Sequence, residues 1–157
     1  MKFVFDHYAL QYMLEQFPRS ITKDFWVRFL AACQDETIIA HRETCKLLEQ
    51  DAIEPDTLKW CKENASLFKA TTEAEAVLLG KWMGQGVFAF LETASFVRGR
   101  MPEDIPFMLC MAKRQGRCLV YRKNTNMRSF SRVKEICKKY DITFMEVEDC
   151  LLCLANC

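Results

Sequence analysis

The chain has 157 residues, 50% of them hydrophobic, and its formal net charge is +1. This length and composition predict a single domain spanning residues 1–157 and exclude a disordered chain. The small net charge excludes a general attraction to nucleic acid or membranes, and no apolar run is long enough to cross a bilayer, so we expect no membrane partner.

Short apolar runs with β-branched or aromatic residues predict strands, and amphipathic segments between them predict helices. In chain order they are a strand at Lys2–Phe5, helices at His7–Phe17 and Thr22–Cys33, a strand at Thr37–Ala40, helices at Glu43–Gln50, Pro55–Phe68, Thr72–Trp82 and Pro106–Gln115, a strand at Cys118–Tyr121, a helix at Ser131–Tyr140, a strand at Ile142–Val147 and a helix at Glu148–Ala155. Strands separated by helices form βαβ units. We therefore predict an α/β fold of three layers, with a central parallel sheet of four or five strands.

Two acidic residues occupy informative places in this pattern. Asp6 closes the first strand, and Asp104 opens the segment that leads into a later helix. Ligands gather at the carboxyl ends of parallel strands, so we expect the two carboxyls to meet there. With Glu43 they form a candidate site for Mg²⁺ or Mn²⁺, whose bound water can cleave a phosphodiester. The alternative is that Asp6 and Asp104 only cap the helices that follow them.

With these acids in place, the chain resembles the PIN domain family of small metal-dependent nucleases, especially its DUF4411 and PilT-like branches. Phe3-Val4-Phe5-Asp6 is similar to the opening strand and first acid of the family, and Glu103-Asp104-Ile105-Pro106-Phe107 is similar to its third acid and helix. Ile38-Ile39-Ala40-His41-Arg42-Glu43 is similar to the second strand and the helix that carries the second acid. Cys118-Leu119-Val120-Tyr121 is similar to the strand that precedes the fourth acid.

The acidic motif is degenerate in this chain. Tyr8 lies where the family has asparagine. The second acid falls either on Glu43 or on Leu47, where it is lost. After the third predicted strand, where the family has its fourth acid, the chain offers Arg122, Lys123, Asn124 and Asn126.

Basic residues concentrate in the last third of the chain, interleaved with Tyr121 and Phe130. Cations and aromatic rings in this mixture can follow a phosphate backbone and stack on a base. The candidate nucleic-acid contacts are Arg122, Lys123, Asn124 and Arg128. The alternatives are a solvated face of helix and loop, or a surface for an acidic partner protein.

The resemblance implies an endoribonuclease that acts on RNA and belongs to a toxin–antitoxin pair. In this interpretation Asp6 and Asp104 are ligands of Mg²⁺ or Mn²⁺, and Glu43 is an auxiliary ligand or a base that acts through water. The alternative is a catalytically degenerate PIN-like module that binds RNA or a partner protein. An antitoxin, another protein and a second copy of the chain are the expected protein partners.

Nine cysteines occur in a chain whose start shows no signal-peptide pattern. Because disulfides are rare in reducing compartments, this predicts reduced thiols and a cytoplasmic protein. Cys150, Cys153 and Cys157 have the spacing of one helical face. That spacing predicts packing in the core rather than a zinc site, since buried cysteine behaves as a small hydrophobe.

Overall fold

The structure is a computed structural model that describes residues 1–17, 22–51, 54–91, 104–122 and 127–156, with 127–129 described by their backbone alone. The strands are β1 Phe3–Phe5, β2 Ile38–His41, β3 Phe68–Lys69, β4 Cys118–Val120 and β5 Phe144–Met145. The helices are α1 His7–Gln16, α2 Lys23–Gln34, α3 Arg42–Asp51, α4 Pro55–Glu63, α5 Glu73–Gly84, α6 Asp104–Gln115, α7 Met127–Lys139 and α8 Val147–Ala155. A 3₁₀ turn at Ala65–Leu67 precedes β3.

The five strands form one sheet in the order β3-β2-β1-β4-β5, and every adjacent pair is parallel. This confirms the predicted α/β fold with a parallel sheet. β1 lies at the centre, where Phe3 pairs with Ile38 of β2 on one side and with Cys118 of β4 on the other. The carboxyl ends of β1, β2 and β4 therefore meet at one edge of the sheet.

Helices cover both faces of the sheet, which confirms the three predicted layers. Alternate residues of a strand point to opposite faces. Phe3 and Phe5 therefore pack in a first core with α1, α2, α4 and α8, whereas Val4 packs in a second core with α5, α6 and α7. Burial on both sides explains why the central strands are continuous apolar runs without a polar alternation.

The sequence missed the edge strand β3. The predicted helix Pro55–Phe68 ends at Glu63, with Asn64 as its C-cap, whose backbone N–H (3.0 Å) and side-chain Nδ2 (2.9 Å) both donate to the Trp60 carbonyl. The chain then turns, and Phe68 pairs with Ala40 of β2. Two residues are too few to produce a strand pattern in sequence.

Other boundaries also differ from the prediction. The predicted strand Ile142–Val147 is limited to β5, since Val147 already begins α8. The helix predicted from Ser131 begins four residues earlier, at Met127. Within the described ranges, no helix is both long enough and apolar enough to cross a membrane.

None of the eight cysteines that the structure describes is part of a disulfide, and six of them are buried. Cys150 is fully buried in the first core, as predicted. Cys153 is exposed. The predicted core stripe is therefore wrong at Cys153, because only one side of α8 packs against the domain. Cys157 lies outside the described residues.

Candidate active site at the carboxyl edge of the sheet

Asp6 lies directly after β1 and is completely buried. Its N–H donates to the Val120 carbonyl at 3.0 Å, which continues the pairing of β1 with β4. Its Oδ1 accepts a hydrogen bond from the Ala9 N–H at 2.8 Å and thereby caps α1. Its Oδ2 has no hydrogen-bond partner among the described residues. Capping thus accounts for one oxygen of this carboxyl and leaves the other unused.

Asp104 is the first residue of α6 and is also completely buried. Its Oδ2 accepts hydrogen bonds from the His7 N–H and from Thr44 Oγ1, both at 3.1 Å, and lies 3.3 Å from His7 Nδ1. Its Oδ1 has no partner in the described part of the chain. One carboxylate oxygen therefore joins α1, α3 and α6.

The structure brings the two predicted acids to the same edge of the sheet. His7, next to Asp6 in the chain, contacts Asp104 directly. Burial raises the pKa of Asp6 to about 7, and the charge of Asp104 adds to this, whereas His7 and backbone N–H groups act against it. A carboxyl with such a pKa changes charge near neutral pH.

His7 begins α1 and His41 ends β2, so both lie at this edge, and both are buried. Burial lowers the pKa of His7, but the neighbouring Asp104, Asp6 and Asp51 outweigh it, and the net pKa is raised. His41 Nδ1 accepts from the Glu43 N–H at 3.0 Å, and its ring stacks on Phe107 with centroids 4.7 Å apart. Burial lowers the pKa of His41, so this imidazole is neutral at pH 7.

Glu43 lies in the first turn of α3. Its Oε1 is 2.8 Å from the Lys46 ammonium, which is largely exposed, so this contact is on the outer surface. Among the described residues, no three His, Cys, Asp or Glu side chains form a group that could hold a metal. The role predicted for Glu43 remains a prediction.

Two neighbours of Glu43 on α3 occupy places where a second acid of the site was expected. Thr44, one position further along α3, is the residue that contacts Asp104. Leu47, the alternative position of the second acid, is a buried apolar side chain. The side of α3 that contacts Asp104 therefore carries the Thr44 hydroxyl and not a carboxylate.

Tyr121 is a further residue at this edge, whose place the sequence analysis missed. The sequence pattern suggests a ring that could stack on a base, but Tyr121 is 1% exposed, so that interpretation is wrong. Its Oη has no hydrogen-bond partner within the described ranges. Burial, Asp6 and Asp104 together raise the pKa of this phenol far above its usual range, so it stays protonated. The sequence did indicate a place near the site, because Tyr121 ends the predicted strand Cys118–Tyr121, and the structure pairs β4 with β1.

The predicted nucleic-acid residues are described only in part. The Arg122 guanidinium lies 4.0 Å from the centre of the Tyr12 ring, so this cation packs on α1 and not between the two acids. Lys123 and Asn124 lie outside the described residues, and Arg128 is described only as backbone of α7. Arg117, in the same basic stretch, is buried and donates to the Glu36 carbonyl at 2.7 Å, which is a structural role.

No protein-family model matches the chain, and no curated protein matches it. A solved structure that is similar to the chain is described as VapBC2 from Rickettsia felis bound to a DNA fragment from their promoter. The TM-score is 0.51 with 11% sequence identity, over 93% of this chain and 98% of the other. The fold is thus PIN-like, in agreement with the five-stranded parallel sheet. At this identity the likeness concerns the fold alone.

Proposed function

We propose that the chain is a PIN-like, metal-dependent ribonuclease in which Asp6 and Asp104 hold one Mg²⁺ or Mn²⁺. The observation that carries the proposal is a pair of buried carboxyls at one sheet edge, each with one oxygen that has no hydrogen-bond partner among the described residues. Leaving such an oxygen unpaired is costly, and buried polar groups are nearly always paired. A hydrated divalent cation that binds both oxygens would compensate for their missing hydrogen bonds.

The donor set fits one hydrated cation. Carboxylate oxygens are the ligands that Mg²⁺ prefers, and this ion keeps several of its waters. A pair of cations would require more carboxylates than Asp6 and Asp104 provide. When bound, the cation would supply an activated water and polarise a phosphate oxygen.

The protein fixes which oxygen each acid presents. The Ala9 N–H holds Asp6 Oδ1, so Oδ2 is left for a ligand. His7 and Thr44 hold Asp104 Oδ2, so Oδ1 is left for a ligand. Carboxylates fixed by their neighbours meet a ligand without reorganising, which is the usual task of groups around a metal ligand. Glu43 would act as an auxiliary base through water only after leaving Lys46.

The substrate we propose is RNA, held through its phosphates by Arg122, Lys123, Asn124 and Arg128. Arg122 directly follows Tyr121 and so lies next to the carboxyl edge. The PIN-like fold also supports a place near the DUF4411 and PilT-like branches and a toxin role with an antitoxin as protein partner. The similar structure is described as VapBC2, and we extend a protein partner to this chain only as a proposal.

A second candidate function is a PIN-like module that has lost catalysis and binds RNA or a partner protein. Two observations favour it. Leu47 is buried where a second acid would add charge, and His7 already contacts Asp104 at 3.3 Å. A cationic histidine next to a carboxylate reduces its attraction for a metal.

Cleavage of a fluorescently labelled single-stranded RNA, titrated with Mg²⁺ and Mn²⁺, tests the proposal. We expect slow cleavage that needs millimolar metal, because few carboxylates offset the dehydration of the ion. Asp6→Asn should reduce the rate by about 100-fold or more, since it removes a ligand charge. Asp24→Asn, an exposed change of the same kind in α2, is the matched control.

RNA binding by fluorescence anisotropy, measured on the same proteins, separates the two candidates. Retained RNA binding without cleavage at any metal concentration would favour the binding module. Cleavage that survives Asp6→Asn or EDTA would contradict a site built on Asp6.

A further inference from the structure

The Tyr121 hydroxyl is a buried polar group without a partner in the described part of the chain. A phenol that is 1% exposed has lost its hydrogen bonds to bulk water. Native proteins seldom leave such a group unpaired, and an unpaired group often indicates an ordered water or an ion. The hydroxyl therefore points to a ligand that it contacts.

Strand pairing places Tyr121 next to Asp6. Phe5 pairs with Val120, and Asp6 donates to the Val120 carbonyl, so Asp6 and Tyr121 continue the same register at the end of β1 and β4. The charges of Asp6 and Asp104 both contribute to the raised pKa of the Tyr121 phenol, in keeping with this placement. Each of the three has one polar atom without a partner among the described residues: Asp6 Oδ2, Asp104 Oδ1 and Tyr121 Oη.

The chemistry of these atoms suits a hydrated cation. The carboxylate oxygens accept hydrogen bonds or bind a cation, and the oxygen of a protonated phenol can accept a hydrogen bond as well as donate one. A hydrated divalent cation offers a counterpart to each, since the ion binds carboxylates and its bound water donates a hydrogen bond to the phenol oxygen. Tyr121 ends the strand after which the resemblance places a fourth acid. A neutral hydroxyl in place of an acid leaves the site with less negative charge, which suits one cation better than two.

We propose that Tyr121 is a positioning residue, whose hydroxyl oxygen would accept a hydrogen bond from a water ligand of the cation held by Asp6 and Asp104. This inference rests on the proposed function. The ring is fixed independently of the hydroxyl, because it packs against two other rings. Its centroid lies 5.8 Å from that of Phe130, on which it stacks, and 6.3 Å from that of Phe144. Tyr121→Phe therefore removes the hydroxyl and keeps the packing.

The test is the affinity for Mn²⁺, measured by electron paramagnetic resonance of the free ion, without RNA. We expect Tyr121→Phe to weaken Mn²⁺ binding by about fivefold, the usual effect of one hydrogen bond. Tyr140→Phe is the matched control, since this half-buried ring packs on Trp82 on α5 and should leave the affinity unchanged. Asp6→Asn should abolish binding.

The outcomes separate this inference from the proposed function. If Asp6→Asn abolishes Mn²⁺ binding but Tyr121→Phe binds within twofold of the wild type, the role of Tyr121 is refuted and the metal site stands. If the wild type binds no Mn²⁺, or Asp6→Asn binds it equally well, both are refuted.

A second measurement does not depend on folding of the variant. In wild-type protein labelled with 3-fluorotyrosine, Mg²⁺ should shift the fluorine resonance of residue 121 and leave that of residue 140 in place. A Tyr121 resonance that does not respond to saturating Mg²⁺ would refute the hydrogen bond.

Discussion

Replacing Asp6 by asparagine should stabilise the metal-free protein at alkaline pH. Asn caps a helix about as well as Asp, so the bond from the Ala9 N–H to the side-chain oxygen is kept. What disappears is a buried charge beside Asp104. The variant that we expect to lose catalysis is therefore expected to gain stability, as is common when charges are held at a functional site.

The magnitude follows from the pKa of Asp6, which burial raises from 3.8 to about 7. Well below pH 3.8 the carboxyl is neutral in both folded and unfolded chains, and its contribution to stability is fully present. Between pH 3.8 and pH 7 the unfolded chain loses this proton while the folded protein keeps it, so the contribution falls steadily and is lost once the pH has risen through 7. The free energy of unfolding of Asp6→Asn should exceed that of the wild type by about 1.5 kcal/mol at pH 5 and about 4 kcal/mol at pH 8.

Urea unfolding in EDTA, followed by fluorescence of the buried Trp26, Trp60 and Trp82, measures this difference at both pH values. Asp24→Asn is the control, because an exposed charge in α2 should change stability little at either pH. An Asp6→Asn protein that is less stable than the wild type at pH 8, or a difference that does not grow between pH 5 and pH 8, would refute the reasoning.

Three further predictions use the same proteins and assays. Asp104→Ala should destabilise the protein by about 3 kcal/mol in urea unfolding, because it leaves the buried donors of His7 and Thr44 unpaired; a loss below about 1 kcal/mol would contradict the network. Glu43→Gln should keep RNA cleavage within about fivefold of the wild type, since Glu43 is in a surface ion pair. A loss of cleavage similar to that of Asp6→Asn would contradict this and indicate that Glu43 takes part in catalysis. Cys153 should react with iodoacetamide well before Cys150, whose buried thiol has a raised pKa; mass spectrometry of the native protein would show the order, and equal rates would contradict it.

The sequence predicted the parts of this fold that depend on local patterns. The apolar run before Asp6 and the alternation of strands with helices were sufficient for the parallel sheet and for the location of Asp6. β3 was missed because a two-residue strand is defined by its pairing with β2 and not by its own residues. Pairing between distant segments leaves no trace in a single sequence.

The side chains around Asp104 show a second limit of sequence reasoning. Adjacent residues of a helix point about 100° apart, so Thr44 contacts Asp104 while Glu43 pairs with Lys46. Which residue of α3 faces the sheet depends on how the helix is rotated against it, and a carboxylate in the right region of sequence does not determine that rotation. Tyr121 was misinterpreted for the opposite reason, because the residues that follow it in sequence are polar while its neighbours in space are Phe130 and Phe144.

The central position of β1, paired with β4 more than a hundred residues later, has a consequence for synthesis on the ribosome. Asp6 is synthesised well before Asp104 and Tyr121. A nascent chain that stops before β4 lacks the strand that pairs with one side of β1. It also lacks Tyr121, so it cannot form the complete carboxyl edge. Contacts so distant in sequence also form slowly. Any activity at this edge therefore requires a chain that extends through β4.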